Sequence, residues 1–229
     1  MKIVIIYGQN HKGSTYHIAR MLAEKIKGDI KEFFLPRDFG EFCVGCTKCF
    51  TESEKKCPHF EKLKPITDAM DEANVIILAS PVYVYHVTGA MKTFLDHYGY
   101  RWMVHRPQGS MFRKQGVCIS TAAGAGMKPT NKDMVDSLFF WGVAKRYQYG
   151  VRVAAVNWNG VSEKKKCAID KATSGIAKKI VNNSKHVKPG IKTRAMFWAM
   201  HFAQRKGFNP CDAEYWKSNG WTGKKRPWK

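Results

Sequence analysis

The sequence predicts a doubly wound α/β fold, with five parallel strands, helices on both faces and a helical extension at the C-terminus. Three observations carry this expectation. Short apolar, β-branched runs alternate with stretches of helical spacing, the pattern of a parallel sheet wound by crossover helices. Small, polar or glycine-bearing loops follow the apolar runs, where such sheets bind ligands. Near Val187 the alternation stops at Lys188-Pro189-Gly190, and an aromatic, basic stretch begins. The chain thus divides into an expected main domain, residues 1–186, and an extension, residues 187–229.

The elements follow in order. Lys2–Tyr7 is an apolar strand. Ser14–Lys27 places Ile18, Met21, Leu22 and Ile26 at helical spacing, and Asp29–Leu35 is the second strand. Pro36–Lys62 is irregular and carries a cluster of cysteines. A helix over Leu63–Glu72 leads to a buried strand, Asn74–Ser80, and a helix over Thr88–Tyr98. Gln115–Thr121 and Gln148–Val156 are the last two strands, with helices over Thr130–Ala144 and Ser162–Asn182.

Composition narrows the function classes. With 229 residues the chain is long enough for one α/β domain with a buried core. No apolar run reaches the roughly 18 residues of a spanning helix, and the N-terminus reads as a strand rather than a signal peptide, so the expected location is cytoplasmic. The net charge of +21 implies attraction to anions such as phosphorylated cofactors, acidic electron carriers like ferredoxin, lipid or nucleic acid. No nucleic-acid module is present in the pattern, so no nucleic-acid partner is expected.

Three loops carry candidate chemistry. Gly8 to Tyr16 joins the first strand to the first helix; its free backbone N–H groups and the helix dipole suit a phosphate, and Ser14 and Thr15 add hydroxyls. Ser14 also fits a plain N-cap role. Ser80 to Lys92 sets Tyr83, Tyr85 and His86 at the end of a buried strand, where a flat ring finds an apolar bed and N–H donors. Ser120 to Met127 is built of small residues that let a ligand approach the backbone.

With Ser80-Pro81-Val82-Tyr83 and Gly89-Ala90-Met91-Lys92-Thr93-Phe94-Leu95-Asp96 as its most specific segments, the chain resembles the NAD(P)H-dependent FMN reductase branch of the flavodoxin-like superfamily, over roughly residues 1–180. The resemblance implies that the first loop holds the FMN phosphate through Gln9, His11, Ser14, Thr15 and Tyr16. It implies that Pro81, Val82, Tyr83 and Val84 meet the isoalloxazine, and that Thr121, Ala122, Ala123 and Gly124 close over it. Gln9 stands where many members carry serine.

Four of the seven cysteines, Cys43, Cys46, Cys49 and Cys57, lie in one short stretch. In a reducing compartment such clustering points to metal or redox work rather than a disulfide framework. The set is read as the ligands of a [4Fe–4S] cluster, with unliganded thiols next and a structural zinc or a disulfide last among the alternatives. Its spacing resembles that of the iron–sulfur flavoproteins, a subgroup of the same family. Cys118 reads as a buried hydrophobe, while Cys167 and Cys211 suggest no role.

The expected function is therefore FMN-dependent electron transfer from NAD(P)H or a reduced protein carrier to an acceptor, with Tyr85 and His86 on the substrate side. Hydride transfer demands no protein acid or base, and none is assigned. The alternative is a non-enzymatic carrier like flavodoxin, against which the length and basic charge argue. A homodimer or a tetramer is expected from the apolar surface of the cysteine loop and the tail. The helix expected over Ile191–Lys206 is read as packing on a partner subunit in preference to a membrane surface.

Overall fold

The computed structural model describes residues 1–229. Five strands, β1 (Lys2–Tyr7), β2 (Asp29–Phe34), β3 (Val75–Pro81), β4 (Gln115–Ala122) and β5 (Lys145–Arg152), form one sheet in the order β2-β1-β3-β4-β5. Every neighbouring pair is parallel. The chain moves from β1 outward to β2, then returns past β1 to β3, so the strand order reverses between β1 and β3. The carboxyl ends of these strands are where a doubly wound sheet opens a crevice.

Alternation of side chains across the sheet builds two cores. Val4, Ile6, Ile76, Leu78 and Cys118 face α3 (Phe60–Glu72), α4 (Gly89–Asp96) and α5 (Met127–Phe140). Ile3, Ile5, Val75, Ile77, Val117 and Ile119 face α1 (Ser14–Ile26) and α6 (Glu163–Asn183). The central strands are buried along nearly their whole length, whereas β5 is an edge strand, half-buried over residues 145–147 and alternating between exposed and half-buried from there to Arg152.

The structure departs from the sequence reading in three places. β5 starts at Lys145 and stops at Arg152, so Val153–Val156 are loop rather than strand. The cysteine stretch contains one short turn of helix, α2 (Lys48–Thr51), and a 3-10 turn over Glu54–Lys56. The tail forms two helices, α7 (Ile191–Arg205) and α8 (Pro210–Ser218), where one was expected.

That tail packs on its own chain. Phe197, Trp216, Trp221 and Trp228 form a third core with Met103 and Phe112 of the segment before β4. The inner face of α7, comprising Thr193, Phe197, His201 and Gln204, is buried within the monomer and not held for a partner subunit. Most of the aromatic surface on which a dimer was expected is thus already covered. No helix is long and apolar enough to cross a membrane.

Candidate cofactor site and cysteine loop

The cleft at the strand ends begins with the loop between β1 and α1. Gly13 is the N-cap of α1, in extended conformation and with no side-chain cap, so Ser14 is the first helical residue and not the cap. The backbone N–H groups of Ser14, Thr15 and Tyr16 have no partner within the protein. They are the orphan donors of a helix start, gathered at the positive end of its dipole. His11 lies across Gly13, where a Cβ would meet its Nε2 at 2.8 Å, and the His11 ring contacts Gln9. Lys12 extends over the Tyr16 ring, and burial together with Lys12 keeps His17 below the usual histidine range.

Hydroxyls tie the three loops together. Thr15 Oγ1 and Thr121 Oγ1 share a 2.6 Å hydrogen bond between α1 and β4. Thr88 caps α4 through the Met91 N–H, donates to the Gly8 carbonyl, and its own N–H donates to Ser80 Oγ. A Cβ on Gly8 would lie 2.8 Å from Thr88 Oγ1, so this stitch requires glycine. Thr15 is thus a cross-brace as well as a wall residue.

The loop after β3 is a tight hairpin. Tyr83 and His86 exchange both backbone hydrogen bonds at 2.9 Å, and the two residues between them, Val84 and Tyr85, have φ of 47° and 68°. Two left-handed residues in such a turn favour Asn-Gly, and a β-branched valine there is strained. The tip projects into solvent, with Val84 94% and Tyr85 62% exposed. His86 is 3.0 Å from Asp133.

Gln9, His11, Ser14, Thr15, Tyr16, Pro81, Val82, Tyr83, Thr121, Ala122 and Ala123 line this cleft together. Val84 and Gly124 do not; Val84 points outward at the hairpin tip and Gly124 is exposed beyond Ala123. The sequence reading missed Tyr7, Gly13 and Ala79 on the floor, and the wall formed by Val153, Ala155 and Val156 after β5. The signal was present: a small apolar run at the end of a strand is a wall as readily as a strand.

In the cysteine loop, Gly45 and Thr47 adopt left-handed conformations that turn the chain between Cys43 and Cys49. None of the seven cysteines is in a disulfide. Burial pushes the Cys49 thiol up to about 11, with Cys57, Cys43 and Cys46 acting in the same direction, but the compact group of ligand atoms in this stretch contains only Cys57 of the four. Cys57 also faces His59 and His97, the three ligand atoms lying within 4.8 Å of one another. His97 Nδ1 donates to the Thr93 carbonyl at 2.8 Å, leaving its Nε2 lone pair toward His59 Nδ1 at 2.9 Å.

The tail braces this loop from behind. Arg106 donates to the carbonyls of Cys49 and Phe50, Asn209 donates to Phe50, and the Cys211 thiol donates to Thr51. Arg106 is held by Asp212 at 2.6 Å, and Asp212 also accepts from His105 at 2.7 Å. Cys211 and Asp212, which the sequence left without a role, are thus part of the support.

Residues 1–154 match the sequence profile of the family described as NADPH-dependent FMN reductase. The chain belongs to that family. Among curated relatives, an iron-sulfur flavoprotein of Archaeoglobus fulgidus is 36% identical over 88 residues, a stretch covering 37% of this chain and 36% of that protein. Among solved structures, a flavone reductase superposes with a TM-score of 0.59 at 16% identity, covering 83% of this chain and 66% of the other. The FMN-dependent NADH-azoreductase of Bacillus anthracis, solved in complex with FMN, gives 0.55 at 12% identity, covering 77% of this chain and all of the other (100%). These likenesses establish the flavodoxin-like fold of this FMN reductase family member. Its match to the family ends at residue 154, short of α6 and the tail.

The cleft of this family member fits a phosphorylated flat ligand. It offers unpartnered amides at a helix start, the Lys12 ammonium over the Tyr16 ring nearby, and walls of small apolar and aromatic residues.

Proposed function

We propose that this protein is an FMN-dependent oxidoreductase that draws electrons from NAD(P)H and delivers them to an acceptor. The observation that carries the reading is the set of unpartnered Ser14, Thr15 and Tyr16 amides at the start of α1, opposite the Pro81-Val82-Tyr83 and Thr121-Ala122-Ala123 walls. In this reading Gln9, His11, Ser14, Thr15 and Tyr16 hold the FMN phosphate. Pro81, Val82 and Tyr83 bed one side of the isoalloxazine, and Thr121, Ala122 and Ala123 approach it closely. Bound FMN supplies the two-electron chemistry, and the protein positions it and shields it from water. The exposed Tyr85 tip and His86, fixed by Asp133, stand at the substrate side.

The same proposal extends to the cysteine loop. Cys43, Cys46, Cys49 and Cys57 would hold a [4Fe–4S] cluster, and such a group would supply single-electron transfer beside the two-electron flavin. Support comes from the spacing of the four cysteines within one loop and from the iron-sulfur flavoprotein relative. The competing ligand set is Cys57 with His59 and His97, whose mixed sulfur and nitrogen donors suit zinc. The Phe42 and Val44 side chains, 75% and 65% exposed beside this loop, favour a homodimer contact there. Residues 1–186 form the flavin domain, and residues 187–229 serve as a brace for its cysteine loop.

Anaerobic purification tests the cluster. The expected protein shows broad absorbance near roughly 400 nm beyond the flavin bands, with about four irons and four sulfides per chain. Cys49→Ala removes that absorbance and leaves FMN bound, because the flavin rests on other loops. Zinc in place of iron, lost in His97→Ala, assigns the site to the mixed set; neither metal leaves the loop as a thiol-bearing contact.

A further inference from the structure

α7 has two faces, and only one is used. Its inner face is buried against the third core. On its outer face Ile191, Ala195, Trp198 and Phe202 fall within about 60° of one another at 3.6 residues per turn. They form one apolar stripe, with Ile191 85%, Trp198 42% and Phe202 57% exposed. Phe208, just beyond the helix end, is 82% exposed.

The charges flank this stripe on both sides. Arg194 and Arg205 lie along one edge, Lys192 and Lys206 along the other, and none of the four has an acidic partner. Arg226 stacks on Trp198 at 4.1 Å, adding a further cation to the edge. Residues 187–229 hold ten lysines and arginines against two acids.

We propose that this face of α7 docks the protein on an anionic lipid surface. Aromatic and aliphatic groups enter the headgroup boundary, while the flanking cations reach lipid phosphates, as interfacial helices do. The arrangement argues against a second copy of the chain as the occupant. A symmetric contact between two such stripes sets like charges against each other along both edges. It argues against nucleic acid as well, because Ile191 and Phe208 offer aliphatic and phenyl surface where a polyanion groove needs cations. The docking does not depend on the flavin assignment, since the helix lies outside the segment matched to the family.

The test is flotation of the full-length protein with vesicles of phosphatidylcholine, alone or with about a third phosphatidylglycerol. Binding is expected to the anionic vesicles only, to weaken as salt rises, and to fall at least tenfold in Ile191→Ser/Phe202→Ser and in Lys192→Glu/Lys206→Glu. All four residues are solvent-exposed, and unchanged circular dichroism and flavin content report that the variants are folded. Equal binding by wild type and both variants, or none by wild type, overturns the proposal. So does a wild-type dimer that Ile191→Ser/Phe202→Ser converts to monomer, or retention of wild type by DNA but not by vesicles.

Discussion

Asp212→Ala is expected to destabilise the protein by about 3–5 kcal/mol, because it strands the buried Arg106 guanidinium without its counter-charge. Asp212 is 1% exposed and Arg106 8%, so water does not replace the lost partner. For a chain of this size the loss corresponds to a fall in melting temperature of roughly 10 °C. The effect should reach the cysteine loop, since Arg106 also holds the carbonyls of Cys49 and Phe50. Cys211, whose thiol donates to the Thr51 carbonyl of the loop, is therefore expected to react faster with a thiol reagent in the variant. Replacing both members, Asp212→Leu with Arg106→Met, should cost less than the single change, because no unpaired charge remains. A double variant as unstable as Asp212→Ala would show that packing at this site outweighs the ion pair.

Ser14→Asp separates ligand binding from folding. An acid in the first turn of a helix stabilises it by about 0.3–1 kcal/mol, and α1 has none there. The variant should therefore be as stable as wild type or more so. Its carboxylate would stand beside the amides proposed to hold the phosphate. Like charges about 4 Å apart near a protein surface repel by about 4 kcal/mol, so FMN affinity is expected to fall by roughly a thousandfold. Titration of the apoprotein with FMN, alongside thermal melting, reads both effects. Unchanged affinity would move the phosphate away from this loop. Ser14 is the better probe than Thr15, whose hydroxyl bond to Thr121 would be broken by the same substitution.

How far the sequence reached depends on what each residue's burial imposes. β1, β3 and β4 are buried on both faces, so their apolar runs are legible without any partner being known. The loops after them were legible for the same reason, since a strand end locates the crevice. β5 misled because Lys145–Arg152 is an edge strand of mixed polarity, while the apolar residues just beyond it line the cleft. That one shift hid Val153, Ala155 and Val156 from the site. The tail was legible as aromatic and basic, but not as a core. Spacing in sequence does not reveal that Trp216, Trp221 and Trp228 meet Phe112, more than a hundred residues away. Nor does an acid in a basic tail announce its partner: Asp212 acquires its role only when the fold brings Arg106 and His105 to it.

The central claim is that FMN occupies the cleft at the ends of β1, β3 and β4. Its most direct measurement is the cofactor released when the purified protein is denatured, identified by mass and counted per chain, before and after mixing with NADPH without oxygen. The account predicts a yellow protein that yields about one FMN per chain, bleaches with NADPH, and loses its flavin in Ser14→Asp while remaining folded. Release of FAD, or a folded wild-type protein that takes up no FMN when it is supplied, would contradict it.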